Sequence, residues 1–103
     1  MIPSFSSRVA VAPDVMFRIV GEESVLLHLK SETYLGLDPV GTRMWNVLTE
    51  SPSIQKAYEV LQTEYDVEAE ELRRDLQEFL HKLQENELIE IRPPDASGQA
   101  KTE

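Results

Sequence analysis

No cysteine occurs anywhere in the 103 residues, which excludes disulfides, thiolate nucleophiles and cysteine-built metal sites together. That absence fits a reducing, cytoplasmic setting. Histidine is nearly as scarce: His28 and His81 are the only two, far apart in the chain, one in a strand-like stretch and one in a helical one. A metal site built on them would need carboxylates that the spacing does not offer. The four glycines form no phosphate-cradling loop. No apolar run approaches the ~20 residues of a membrane span, and Met1 to Ser7 lacks both the basic and the apolar region of a secretory signal. Basic residues are outnumbered, 10 Lys+Arg against 19 Asp+Glu, for a net charge of −9. Nucleic acid and anionic membranes are therefore poor partners, since both are held by clustered Lys and Arg. A peptide, or a protein with basic patches, stays compatible.

What is present has the balance of one soluble globular domain, 41% hydrophobic and 28% charged. The first half reads as strands. Val9-Ala10-Val11-Ala12 ends at Pro13-Asp14, and Met16 to Val20 ends at a Gly21-Glu22-Glu23 turn. In Val25 to Leu29, residues Val25, Leu27 and Leu29 share one face. Lys30-Ser31-Glu32 breaks the chain before Thr33-Tyr34-Leu35-Gly36-Leu37. Connections this short favour an antiparallel meander.

The period then changes from two to 3.6. Asp38-Pro39 joins an N-cap to a proline at the first helical position, and Val40, Met44, Val47 and Leu48 follow on one stripe with Trp45 at its edge. Ser51-Pro52-Ser53 ends that helix and caps a second with stripe Ile54, Ala57, Tyr58, Leu61 and Tyr65. Asp66 is the candidate cap of a third, striped by Ala69, Leu72, Leu76, Phe79, Leu80 and Leu83. Its exit is expected at Glu85-Asn86-Glu87, with Asn86 left-handed. Leu88 to Ile91 suits a last short strand. The expected fold is α+β and winged helix-turn-helix-like, a three- to four-stranded antiparallel sheet followed by three helices. Residues 1–8 are expected to be a flexible segment, 9–92 the domain, and 93–103 a disordered tail.

Catalytic chemistry finds no foothold. No serine sits in a nucleophile elbow, and Glu68, Glu70 and Glu71 read as a solvated first helical turn rather than a carboxylate pair. Binding has two footholds. Thr33 to Leu37 would lie at a sheet edge with neither charge nor proline to blunt it, and Gly36 would admit another backbone. The competing reading has Leu88 to Ile91 or the N-terminal segment covering that edge. The outer side of the third helix, with Arg73, Arg74, Asp75, Gln77, Glu78, His81 and Lys82, is either a solvated face with pairs such as Glu78 to Lys82 or one wall of a peptide groove.

From about Pro13 to Ile91 the chain resembles the PqqD-like family, the RiPP recognition elements. The resemblance is carried by Val25-Leu26-Leu27, by Tyr34-Leu35-Gly36-Leu37-Asp38-Pro39-Val40-Gly41 with Met44-Trp45 after it, and by Phe79-Leu80-His81-Lys82-Leu83 and Asn86-Glu87-Leu88-Ile89. Glycine is commoner in the family where Glu87 stands. Within the family, the wording and size look most like the stand-alone leader-binding proteins of lasso-peptide clusters. The resemblance implies a non-catalytic module without cofactor or metal. It binds a precursor's leader as a strand added along Thr33, Tyr34, Leu35, Gly36 and Leu37, against a third-helix wall of Arg73, Arg74, Leu76, Gln77, Phe79, Leu80 and Leu83. Leu76, Phe79 and Leu80 serve equally as plain core, and Arg73 or Arg74 is the candidate partner of an acidic leader residue. The implied partners are that leader, a cysteine-protease-like leader peptidase and an ATP-dependent lasso cyclase, with a weak homodimer through the edge as a further option. Two other readings remain: a peptide carrier for quinone-cofactor synthesis that serves a radical enzyme, and a winged-helix DNA-binding regulator.

Overall fold

Turns dictate the layout of the first half. In the computed structural model, which describes residues 4–93, Gly21 takes a positive φ of 68° in the two-residue link between strands β2 (Val15–Val20) and β3 (Glu23–His28). That conformation matches the twist of a tight hairpin and is open to glycine without strain. The hairpin pairs Val20 with Glu23 through to Val15 with His28. A second reversal, closed by the Glu32 N–H donating to the His28 carbonyl at 2.8 Å, leads into β4 (Thr33–Leu37). The resulting antiparallel sheet has the order β2-β3-β4.

A separate ribbon joins the two ends of the fold. Strand β1 (Arg8–Val11) pairs antiparallel with β5 (Ile89–Arg92), Val9 opposite Ile91. The expected last strand therefore exists, and it covers β1 instead of the edge of β4. Between the sheets run α1 (Pro39–Glu50), α2 (Ile54–Glu64) and α3 (Ala69–Glu85). The order is that of an α+β domain compatible with a winged helix-turn-helix outline.

Helix ends explain where each helix begins. The Asp38 carboxylate accepts the Gly41 N–H at 2.7 Å, with Pro39 at the first helical position, as expected. For α2, Ser53 Oγ accepts the Lys56 N–H at 3.1 Å, while the Ser7 and Phe5 carbonyls accept from Ile54 and Gln55 at 2.7 and 2.8 Å. Three of the first-turn donors that a helix leaves orphaned are thus satisfied. Two of these acceptors, Phe5 and Ser7, belong to the segment 1–8 that is expected from sequence to be flexible. Phe5 is only 8% exposed and meets Tyr58 edge-on at 5.9 Å, so the strap before β1 is part of the fold. The rest of that segment, and the tail beyond Pro93, lie outside the described residues.

At α3 two expectations are corrected. The N-cap is Glu68, without a side-chain bond, instead of Asp66. Tyr58 sets that start by donating its hydroxyl to the Ala69 carbonyl at 2.9 Å. At the exit Asn86 has φ −93°, and Glu87 takes the left-handed turn at φ 58°. Asn86 is retained near the helix because its side-chain amide donates to the Lys82 carbonyl at 2.9 Å.

The core lies between the sheets and the helices. Leu26, Leu48, Ile54, Leu61, Leu76, Leu80, Leu83 and Leu88 are sealed in it, and Trp45 stacks on Phe17 at 5.8 Å between centroids. On β3 the inward residues are Ser24, Leu26 and His28; Val25 and Leu27 share the outer face, and Leu29 lies exposed beyond the strand end. The apolar alternation of β3 thus marks its outer face, because two buried polar residues occupy the inner one. Both are satisfied: Ser24 and Thr42 hydroxyls bond at 2.7 Å, and His28 Nδ1 accepts the Ser31 N–H at 3.3 Å.

Candidate functional site

Strand β4 is the last strand of its sheet, and among the described residues nothing pairs with its outer side. Which of its backbone groups are free follows from the ladder. The Leu29 N–H donates to the Asp14 carbonyl at 2.8 Å, one step beyond the pairing of Val15 with His28. In an antiparallel ladder, bonded and non-bonded pairs alternate. The bonded pairs between β2 and β3 are therefore Met16 with Leu27, Arg18 with Val25, and Val20 with Glu23. Ser24, Leu26 and His28 then turn their N–H and C=O groups toward β4, to Leu37, Leu35 and Thr33. The outward groups of β4 are those of Tyr34 and Gly36. Each offers one donor and one acceptor to a new strand.

A groove of about 460 Å³ opens beside this edge. Gly36 and Leu37 of β4 form one side, and Asp38, Val40, Gly41 and Met44 from the start of α1 form its end. Asp75, Glu78, Phe79 and Lys82 of α3 form the facing wall. Val40, expected in the core stripe of α1, is 44% exposed here, and Met44 is buried beneath it. The lining is an apolar floor with a rim that is acidic on balance: Asp38, Asp75 and Glu78 against Lys82. The Asp38 carboxylate is already engaged by its helix cap.

The expected site residues divide sharply. Thr33, Tyr34, Leu35, Gly36 and Leu37 all lie on the edge strand; Tyr34 is 73% exposed, Leu35 half-buried and Leu37 buried. Of the expected α3 wall, Phe79 alone lines the groove. Leu76, Leu80 and Leu83 are fully buried core. Arg73 lays its guanidinium over the Phe5 ring, 4.1 Å from the centroid. At 3.6 residues per turn, Arg73 and Gln77 fall on the flank opposite Asp75 and Lys82, and Arg74 is exposed but does not line the groove. The groove therefore faces a different flank of α3 from the one that carries Arg73 and Gln77. That flank is readable in retrospect: Phe79 borders the Leu72, Leu76, Leu80 and Leu83 stripe on the side shared with Asp75, Glu78 and Lys82.

Ionisable groups with shifted equilibria lie elsewhere, on the flank where α1 meets α2. Arg43 donates through Nε and Nη2 to the two Glu64 oxygens at 2.8 and 2.5 Å. That hydrogen-bonded fork raises the guanidinium and holds the Glu64 carboxyl below its ordinary value. Tyr65 is raised chiefly by burial. Among the described residues no group of three or more His, Asp or Glu side chains is placed to hold a metal ion, and no helix is long and apolar enough to cross a membrane.

Two solved structures share this architecture. One, "TbiB1 in Complex with the TbiA(beta) Leader Peptide", is 37% identical, with a TM-score of 0.73 over 79% of this chain and 94% of that one. The other, "Lasso peptide synthetase B1 complexed with the leader peptide", has the same TM-score at 23% identity, over 81% of this chain and 98% of that one, and speaks to the fold. No curated protein matches. The family model of coenzyme PQQ synthesis protein D (PqqD) matches residues 23–89, from the start of β3 through the whole of α3 to β5. With the edge strand, the groove wall and a relative of this identity all inside the matched region, the chain belongs to the PqqD family.

Proposed function

We propose that this chain is a non-catalytic, cytoplasmic leader-binding module of lasso-peptide maturation. The leader of a ribosomal precursor adds to β4 as an antiparallel strand, with alternate side chains turned into the groove against α3. The carrying observation is the pair of outward backbone positions, Tyr34 and Gly36, on an edge that no other described strand covers, beside that groove. Backbone bonds supply affinity without regard to sequence, and the groove supplies selection. The relative 37% identical is a leader-peptide complex, which supports the same ligand here. In this reading the gain is one of effective concentration: a tethered leader is presented to a cysteine-protease-like peptidase and an ATP-dependent cyclase.

The parity of β4 decides how this is tested. Leu35→Pro deletes an N–H that bonds to β3, so it disrupts the sheet and says nothing about the ligand. Tyr34→Pro deletes an outward N–H, at the kind of edge position where proline is tolerated. Titration calorimetry against synthetic leaders from short reading frames near the gene should give one-to-one binding. Tyr34→Pro should weaken it about tenfold or more, because a peptide carbonyl is left unpaired. Tyr34→Ala keeps the N–H and should bind far better than Tyr34→Pro. Equal affinities for those two folded variants would sink the added-strand reading.

A second reading is a peptide carrier for quinone-cofactor synthesis that serves a radical enzyme; what favours it is that the matched family is described as a coenzyme PQQ synthesis protein. It uses the same groove, and the identity of the peptide that binds separates the two. A DNA-binding role is opposed by the net charge of −9 and by Glu70 and Glu71 in the first turn of α3.

A further inference from the structure

Three charges of α3 fall in one row: Asp75, Glu78 and Lys82 are three and four positions apart and so share a flank of the helix. That flank is the wall of the groove. All three side chains are exposed, and among the described residues none of them enters an ion pair. The pairing of Glu78 with Lys82 that their spacing allows is not made. Their charges are therefore available to whatever occupies the groove.

The row also has a direction. Gln84, two positions past Lys82, lines a second cavity together with His28, and His28 pairs with Thr33 at the start of β4. Helix α3 thus ends beside the start of β4 and runs antiparallel to that strand. A leader added antiparallel to β4 runs with α3, its earlier residues beside Asp75 and Glu78 and its later ones beside Lys82. Asp38, which follows Leu37, adds its charge to the acidic end.

Strand parity says which leader side chains meet this row. Residues opposite Tyr34 and Gly36 project to the outer face, and those opposite Leu35 and Leu37 project inward to the groove. Inward positions of a strand recur every ~6.6 Å, and a turn of helix rises ~5.4 Å, so successive inward residues keep step with successive charges of the row. The apolar floor of Val40, Met44 and Phe79 suits the stem of a Lys or Arg whose charged head reaches the rim.

We infer that Asp75, Glu78 and Lys82 select leaders by the order of their charges: a basic residue turned inward near Leu37, then an acidic one roughly two to four positions later. This rests on the strand-addition reading above and names the class of leader it accepts. The sign is the reverse of that expected from Arg73 and Arg74, which call for an acidic residue, because the groove faces the other flank. A leader of the opposite order meets like charges at both ends, which rejects it as well as failing to hold it.

The test is titration calorimetry of the full chain, at low and at high salt, with the synthetic leader encoded near its gene. Copies of that leader with single charges reversed complete the set. Glu78→Lys should weaken binding about fivefold and Lys82→Glu by a similar factor, and both losses should shrink in high salt. Reversing the leader's basic residue to Glu should lower affinity for the unaltered chain and restore it for Glu78→Lys. Arg74→Glu makes the same change in net charge as Lys82→Glu, outside the groove, and should leave affinity unchanged. Glu78→Gln and Lys82→Gln repeat the comparison if a reversal lowers the thermal midpoint. Undiminished affinity in both reversals, a loss that no reversal in the leader restores, or an equal loss in Arg74→Glu overturns the inference while leaving strand addition standing. A leader that does not bind the unaltered chain sinks the strand-addition reading first, and the selection by charge with it.

Discussion

Glu87 shows what a single residue can hold in reserve. It stands in the left-handed region at φ 58°, where a β-carbon crowds the backbone at a cost of about 1–2 kcal/mol. The turn is needed there, because it brings the Leu88 N–H back to the Leu83 carbonyl at 3.0 Å and starts β5. Glu87→Gly should therefore stabilise the protein by about 1 kcal/mol, read as a higher denaturant midpoint with an unchanged slope. A lower midpoint would mean that the carboxylate contributes more than the strain costs. Phe5 is the opposite case, a residue with more contacts than its place in the chain suggests. It carries the Tyr58 ring on its edge and the Arg73 guanidinium on its face. Phe5→Ala should cost about 3 kcal/mol in equilibrium unfolding, and a loss below about 0.5 kcal/mol would return this strap to the flexible role first expected of it.

Among the elements, α1 and α2 are joined on their exposed side by the fork between Arg43 and Glu64. The Glu64 carboxyl is depressed by that bond, so its contribution is complete above the ordinary value of 4.5 and fades as pH falls through the lower folded value. Glu64→Gln should therefore be less stable than the parent at neutral pH and lose that difference in acid, with thermal midpoints converging below about pH 4. A gap that persists at low pH would assign the effect to packing. The helices themselves were legible because their signals are local: apolar residues recur every three or four positions, and Asp38-Pro39 and Ser53 mark two starts. Pairings between distant segments were not. The β5 strand could be read as a strand, but its choice of β1 over β4 depends on contacts some eighty residues apart. Nor could the face of β3 be read, since Ser24 and His28 become inward-facing only once Thr42 and Ser31 are there to bond them. The bounds of the edge strand, Thr33–Leu37, were readable in full. Which flank of α3 borders the groove was not, because the flank with Arg73 and the flank with Asp75 and Lys82 are told apart only once Phe5 and the groove set the helix's rotation.

At the scale of the whole molecule, the net charge acts on every element at once. Nineteen carboxylates against ten cations leave a surface that repels itself. Added sodium chloride should raise the thermal midpoint by screening that repulsion, whereas a falling midpoint would show that ion pairs such as Arg43 with Glu64 outweigh it. The β1–β5 ribbon acts at this scale too. Because the first strand and the last are hydrogen-bonded neighbours, the polypeptide passes into the fold and out of it at adjacent points, away from the β4 edge. That arrangement makes the fold portable: spliced into a surface loop of an enzyme, it would interrupt the host at one spot only and bring its edge strand along ready to receive a peptide.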